Sequence, residues 1–413
     1  MTSSHKPGAS NAPIDVSPVP RGVRLDESLL ARARALQSII REHADATERD
    51  RRLARPVVDA MRNAGLFRMF TPRALGGLEV DPVTVASVVE EIAGFDSAAA
   101  WSLQAGNTGA WWTGHFPDAG VAELFADGPD LLLAASFSPP HRAEPVPGGY
   151  RITGRGPLAS TIHDSPWVLL TAIVFDGEQP RMTPFGPMIV GLAMRTSDVQ
   201  IIDTWHSLGM RGTDSNDVAA AGVFVPESRS FVVSPVYEPH PHFGGPLYKM
   251  PALASTDVVI APTALAIARN AITALRELTD RKTPLGSMKT IRHRAAVQSA
   301  LADGEGQLRA ARLLFYDTLN TSWQRVLDGE TLTLEHKADL MLASAHAVRT
   351  SAHVADLMHR MGGTSGIYTR SPLERHFRDA QTVRHHGFLS ESRLETVGQV
   401  YLGLEPEFGF VAF

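Results

Sequence analysis

Two adjacent imidazoles, His385 and His386, lie in the run RDAQTVRHHGFLSES that begins at Arg378. A free histidine titrates near ~6.5, so either ring could hold or move a proton at neutral pH. The nearest acids beyond them, Glu391 and Glu395, stand one and two helical turns further on. A second cluster is LMHRMGGTSG. Its glycines, Gly362, Gly363 and Gly366, would let a backbone approach a pyrophosphate closely. Taken alone they fit a helix C-cap and turn at least as well. Ser160, in GRGPLASTIHDSPWVLL, offers a small hydroxyl that serves either a site or an ordinary turn. Trp111 and Trp112 could wall an aromatic pocket or pack in the core, and Trp205 raises the same choice. His240 and His242 sit on the Pro-rich run YEPHPHFGGPLYKM. A metal would need more ligands than they supply, so the run reads as a substrate-side or intersubunit loop. The chain has no cysteine, which removes thiolate nucleophiles, disulfides, iron–sulfur ligation and the common zinc sites.

Three regions must position these residues. From Leu25, apolar residues recur at helical spacing through LDESLLARARALQSIIREHADATERD, with Asp26 as N-cap. RPVVDAMRNAGLFRMF follows, with Pro56 in a first turn and Gly65 as a C-cap. Further helices cover VDPVTVASVVEEIAGFD and start again near Ser97. From residue 131 to 235 the pattern changes to short apolar runs, such as YRITG, WVLLTAIVF and GVFVP, separated by Gly, Pro, Asp and Ser. That is strand-and-turn punctuation. From 236 to 413 long helical patterns return, and Leu265, Ala268, Ile272 and Leu275 share one face. Short loops between long helices predict an antiparallel bundle. The organisation predicted is a disordered leader over 1–24, a helical domain over 25–130, a β-domain over 131–235 and a helical bundle over 236–413.

Composition narrows the function. With 413 residues the chain can build a large enzyme subunit. A net charge of -5, with basic residues scattered, points to neither nucleic acid nor an anionic membrane. No apolar run approaches the ~20 residues of a membrane helix. The N-terminus lacks the apolar core of a secretion signal, and a cytoplasmic location fits the absence of cysteine.

Helices, a small β-domain, then a helical bundle is an uncommon order, and local motifs agree with one family. RPVVDAMRNAGLFRMFTPRALGG, WHSLGMRGTDSNDVAAAGVFVPES and LMHRMGGTSGIYTRSPLERHFRDA resemble, in that order, three signatures of the acyl-CoA dehydrogenase superfamily. The resemblance implies an α+β fold: an N-terminal helical domain, a central small β-barrel or sandwich and a C-terminal four-helix bundle. It implies a flavin, held by Arg211, Thr213 and Ser215 of the β-domain turn, by Arg281 and Gln298 of the bundle, and by Gly362 and Gly363. In the family this last segment reaches the flavin of a neighbouring subunit, so a homotetramer is implied.

The family's dehydrogenases need a carboxylate to take an α-proton from an acyl thioester. Their Glu follows the Arg-Asp motif, where this chain has His386 and Gly387. At the alternative position, Thr256 stands near the place and Asp257 beside it. RDAQTVRHH instead resembles the flavin-dependent monooxygenases of this fold. These include the oxygenase component of 4-hydroxyphenylacetate 3-hydroxylase, dibenzothiophene monooxygenase and indole-oxidising relatives. The resemblance implies reduced flavin (FADH2 or FMNH2) taken from a separate NAD(P)H-flavin reductase, molecular oxygen, and a C4a-hydroperoxyflavin that oxygenates a small aromatic substrate. His386 and Ser160 would then be catalytic, with His385 the neighbouring substrate contact. Ser160 and Thr161 would flank the flavin, Thr161 standing where relatives carry Gly. Asn107, Trp111 and Trp205 would contact substrate. Related hydroxylases often carry a His-Asn pair where this chain has Gly109, so either another group activates the substrate or the substrate needs no deprotonation, which suits an indole more than a phenol. An acyl-CoA dehydrogenase or oxidase and a catalytically silent scaffold are the competing readings.

Overall fold

The computed structural model describes residues 25–184, 186–234 and 240–412. The leader predicted over 1–24 lies outside the described residues. The first six helices are α1 (Glu27–Arg34), α2 (Gln37–Asp50), α3 (Arg55–Asn63), α4 (Pro82–Ala93), α5 (Ser97–Trp112) and α6 (Asp118–Leu124). Their starts follow the local chemistry. Asp26 caps α1 by accepting from the Ser28 and Leu29 N–H groups. Asp96 caps α5 through the Ala99 N–H at 2.8 Å. Pro56 sits in the first turn of α3, and Gly65 follows its end in a left-handed conformation. One expectation needs correction. The single helix read from Leu25 to Asp50 is broken at Ala35 and Leu36, where no Gly or Pro marks the break.

The β-region contains β1 (Leu133–Val146), β2 (Gly149–Ala159), β3 (Trp167–Asp176), β4 (Gln179–Pro180), β5 (Met182–Thr183), β6 (Gly186–Pro187), β7 (Ile189–Arg195), β8 (Gln200–Ile202), β9 (Asn216–Pro226) and β10 (Ser230–Val232). Its main sheet runs β10-β7-β3-β1-β2-β9-β8, with β4 against β3. The β1–β3 pair is parallel and the others are antiparallel. The small barrel expected takes the form of this curled mixed sheet. Its interior holds Ile152, Val168, Leu170, Leu192, Met194, Val218 and Val225. The ends, β10 and β8, are not paired with each other. Between Ser136 and His141 the β1–β3 register shifts, which lifts Phe137 out of the ladder.

The C-terminal helices are α7 (Ala254–Thr279), α8 (Ala295–Leu327), α9 (Leu334–Gly362), α10 (Pro372–Val383) and α11 (Arg393–Tyr401). α7, α8, α9 and α10 pack together as the bundle, and α4 and α5 pack on α7. Leu265, Ala268, Ile272 and Leu275 are all buried. Among the described residues α7 is long and apolar enough to cross a bilayer, contrary to the sequence reading. Most of it is buried within the protein, the signature of a core helix that is apolar all round.

Candidate active site

A charged clamp fixes the turn Ser207–Thr213 to α10. Arg378 donates to the Leu208 carbonyl at 2.9 Å, and Thr382 Oγ1 accepts from the Gly209 N–H at 3.0 Å. Asp379 accepts from the Met210 N–H and from the Ser97 hydroxyl, each at 2.6 Å. Behind them, Arg375 pairs with Asp96 at 2.6 Å and Glu48 at 2.9 Å, and Arg378 with Glu48 at 2.7 Å and Glu374 at 2.6 Å. Gly209 lies so close to α10 that a Cβ would come within 2.3 Å of the Arg378 carbonyl. The Leu-Gly-x-Arg-Gly motif is thus a packing requirement of the turn. Removing one partner from such a buried ion set costs ~3–5 kcal/mol.

The clamp closes one side of a cavity of about 570 Å³, between α5, strands β1 and β2 and the end of α10. That is the usual size of a small-molecule site. One stripe of α5, Trp101, Gln104, Ala105, Thr108 and Gly109, forms a wall. Phe137, Leu158, Trp205, Leu208, Met210 and Phe388 add apolar surface. Of the residues singled out in the sequence, Ser160, Thr213, Ser215, Trp205, His385 and His386 line this cavity.

A line of hydroxyls runs along its floor. The Trp101 indole N–H donates to Ser160 Oγ at 3.2 Å. Ser160 Oγ meets Ser215 Oγ at 2.7 Å, which meets Thr213 Oγ1 at 2.7 Å. Trp101 also meets the His386 ring edge-on at 5.5 Å, and Phe388 flanks that ring at 5.6 Å. His386 is reached through the cavity but enclosed by protein elsewhere, and desolvation pulls its pKa down to about 4. Its Nδ1 accepts a long hydrogen bond, 3.4 Å, from the Phe388 N–H. The neutral ring therefore carries its proton on Nε2. This makes His386 a hydrogen-bond donor at neutral pH and a poor base, which narrows the role read from the sequence.

Thr161 takes the left-handed conformation that glycine adopts without cost, at φ 61°. Its surroundings hold it there. Its N–H donates to the Thr213 carbonyl at 2.8 Å, and its carbonyl accepts from the Ser165 hydroxyl at 2.8 Å. Leu158, Met210 and Asp214 also have positive φ, so strain gathers around this cavity.

Several predicted contacts lie elsewhere. Asn107 does not reach the cavity: its amide bonds the Phe70 N–H and the Leu66 and Leu103 carbonyls. Trp111 is buried against Phe70 and Tyr248. Both are two residues from Gly109, which on a helix is roughly 200° around. They therefore face the core. Arg211 turns away, donating to the Ser207 carbonyl at 3.1 Å and facing Glu48. Arg281 is exposed beside Glu277, and Gln298 donates to the Arg292 carbonyl. Gly362 and Gly363 end α9, and Lys282 donates to the Gly362 carbonyl at 2.5 Å. None of these lines the cavity. Gly109 does, but a Cβ there would meet Leu133 Cβ at 2.8 Å, so the close packing of α5 on β1 excludes a larger residue. Trp101 and Gln104 were missed in the sequence. The eight-residue spacing of Trp101 from Gly109 is the signal that finds Trp101, whereas Gln104, about 140° around the helix from Gly109, carries no such signal.

Among the described residues no Asp or Glu lines the cavity. Glu391 pairs with Arg384, and Asp257 is buried in α7 outside the cavity lining. Burial pushes the Asp257 pKa up to about 8, so it is protonated at neutral pH. The remaining donor set suits a flavin ring: hydroxyls, an indole N–H and a neutral imidazole, while Thr161, whose buried hydroxyl meets no described partner, lies outside the lining.

The acyl-CoA dehydrogenase N-terminal domain matches residues 27–116, and the acyl-CoA dehydrogenase C-terminal domain matches 258–391. Indole-3-acetate monooxygenase of Pseudomonas putida is 29% identical over 91% of this chain and 95% of its own length. The oxygenase component of the FADH(2)-dependent resorcinol hydroxylase of Rhizobium sp. is 26% identical, over 95% and 98%. XiaF from Streptomyces sp., solved in complex with FADH2 and glycerol, superposes with a TM-score of 0.85 at 26% identity, over 92% of this chain and 96% of that one. The motifs, the fold and the carboxylate-free cavity agree with these matches, and the chain belongs to the acyl-CoA dehydrogenase superfamily, in its branch of flavin-dependent monooxygenases.

Proposed function

We propose that this protein is the oxygenase component of a two-component monooxygenase that oxygenates a small aromatic or heteroaromatic compound, an indole before a phenol. Reduced flavin comes from a separate NAD(P)H-dependent reductase and, once bound, supplies the electrons that activate molecular oxygen. The chain's own residues do the rest. Ser160, Ser215 and Thr213 would hold the flavin edge, with Trp101 fixing Ser160. His386 keeps its proton on Nε2 and offers it as a hydrogen bond where oxygen reacts. Apolar walls exclude water. The observation that carries this reading is that His386 and Ser160 both contact Trp101 in a cavity lined by no carboxylate among the described residues. An acyl thioester would find no base there, and a phenol would find only a weak one.

Arg281, Gln298, Gly362 and Gly363 lie outside the cavity, as they would if they served the flavin of a neighbouring subunit. Leu285 and Met288 are fully exposed and Ile367 largely so, which supports a homotetramer; light scattering tests it. A cytoplasmic location, where NAD(P)H is at hand, fits the same reading. The test of function is turnover with a generic flavin reductase, NAD(P)H and a panel of indoles, phenols and thiophenes. Oxygenated product should require both oxygen and the reductase. Tightly held oxidised flavin that an acyl-CoA bleaches, with no oxygenated product, would return the protein to the dehydrogenases.

A further inference from the structure

Among the described residues the cavity lining holds no Lys, Arg, Asp or Glu. Its titratable groups are His386, kept neutral by burial, and His385 at the exposed rim. Apart from the Ser160–Ser215–Thr213 line assigned to the flavin, its hydroxyls are already committed. Thr108 donates to the Ser255 carbonyl, Ser136 to Pro157, Ser207 to Gly209 and Thr382 to Arg378. Gln381 accepts from Arg384 at 3.2 Å. Gln104 differs from all of these. It lies one helical turn from Trp101, on the stripe of α5 that faces the cavity, and is partly buried there. Its amide makes no hydrogen bond to any described residue. Its amide is therefore open to the cavity and free to bond a ligand there.

We infer that Gln104 is the specificity-determining residue of this cavity, orienting an uncharged aromatic substrate through a ring N–H or hydroxyl, and that the cavity discriminates against aromatics bearing a carboxylate. This rests on the functional reading above and adds the substrate's charge class to it. The Gln104 carbonyl accepts the substrate's proton donor, and the ring lies against Trp101, Phe137 and Phe388. A carboxylate would lose its water and meet no cation in the lining, a penalty well above that of losing one neutral hydrogen bond.

The test is calorimetric titration of the full chain, loaded anaerobically with reduced FAD, with indole and with indole-3-acetate. Indole should bind at least about tenfold more tightly. Gln104→Leu should weaken indole by about five- to tenfold and leave reduced FAD affinity unchanged. Gln104→Arg should reverse the preference in favour of indole-3-acetate. Equal affinity of the unaltered protein for both ligands, or indole affinity within about twofold in Gln104→Leu, overturns the inference. Because the readout is binding, the two claims separate. Oxygenated product with an unaffected Gln104→Leu removes Gln104 alone, whereas no product from any panel compound removes the functional reading beneath it.

Discussion

One helix serves two regions that treat charge in opposite ways. On α10, Arg375, Arg378 and Asp379 join Glu48, Asp96 and Glu374 in a dense ionic clamp. Within one further turn, Thr382 and Val383 border the cavity, whose described lining bears no Lys, Arg, Asp or Glu. The clamp can be ionic because each charge meets a partner. The cavity stays neutral because its partner is absent between turnovers, and an unpaired ion there would cost several kcal/mol. In the low dielectric that results, a neutral imidazole and three hydroxyls act more strongly than they would in water.

Breaking the clamp should have the largest effect. Asp379→Ala leaves the Met210 N–H and the Ser97 hydroxyl unmet and weakens the balance around Arg375. We expect a loss of ~3–5 kcal/mol in chemical denaturation, with activity lost as the turn shifts. A variant as stable as the parent would show that the turn is held by packing alone.

Asp257 tests the comparison from between the regions, as a buried acid with no cation. Its folded pKa of about 8 lies far above the ~3.9 of an unfolded chain. The folded state therefore holds the extra proton. The stability this contributes is fully present below ~3.9 and is lost as pH rises through about 8. Asp257→Asn cannot ionise, so its advantage in thermal midpoint over the parent should grow from pH 5 to pH 9. A constant difference across that range would mean that Asp257 is paired after all.

His386→Ala should have the smallest effect on stability, ~1 kcal/mol or less, yet a large one on chemistry. Product per NAD(P)H should fall by roughly tenfold, with hydrogen peroxide in its place. In the parent, coupling should stay flat between pH 6 and 8, since His386 is neutral throughout. Its depressed pKa makes a stability contribution that is present above ~6.5 and lost as pH falls through about 4. Unchanged coupling in the variant would take His386 out of the site.

How much of this was legible depended on range. Helix caps at Asp26 and Asp96, the first-turn Pro56 and the apolar face of α7 are local, and the sequence carries them. Asn107 and Trp111 show a local signal misread: on α5 they share a face opposite Gly109, yet Gln104 is only about 20° around from Trp111, so packing and not the helical period decides which of those two meets the cavity. Thr161 shows the reverse. Nothing in its neighbours announces a left-handed threonine, because bonds to Thr213 and Ser165 impose it.

The amino-acid sequence by itself determined the order of helical and β regions, the motifs that mark the family, and the replacement of a carboxylate by His386 and Gly387. Those depend on residue type and on contacts a few positions apart. Only the tertiary structure decided that Ser97 meets Asp379 across 282 residues, that Trp101 joins Ser160 to His386, and that burial strips His386 of its basicity. Desolvation and long-range hydrogen bonds are properties of the assembled surface, and no window along the chain contains them.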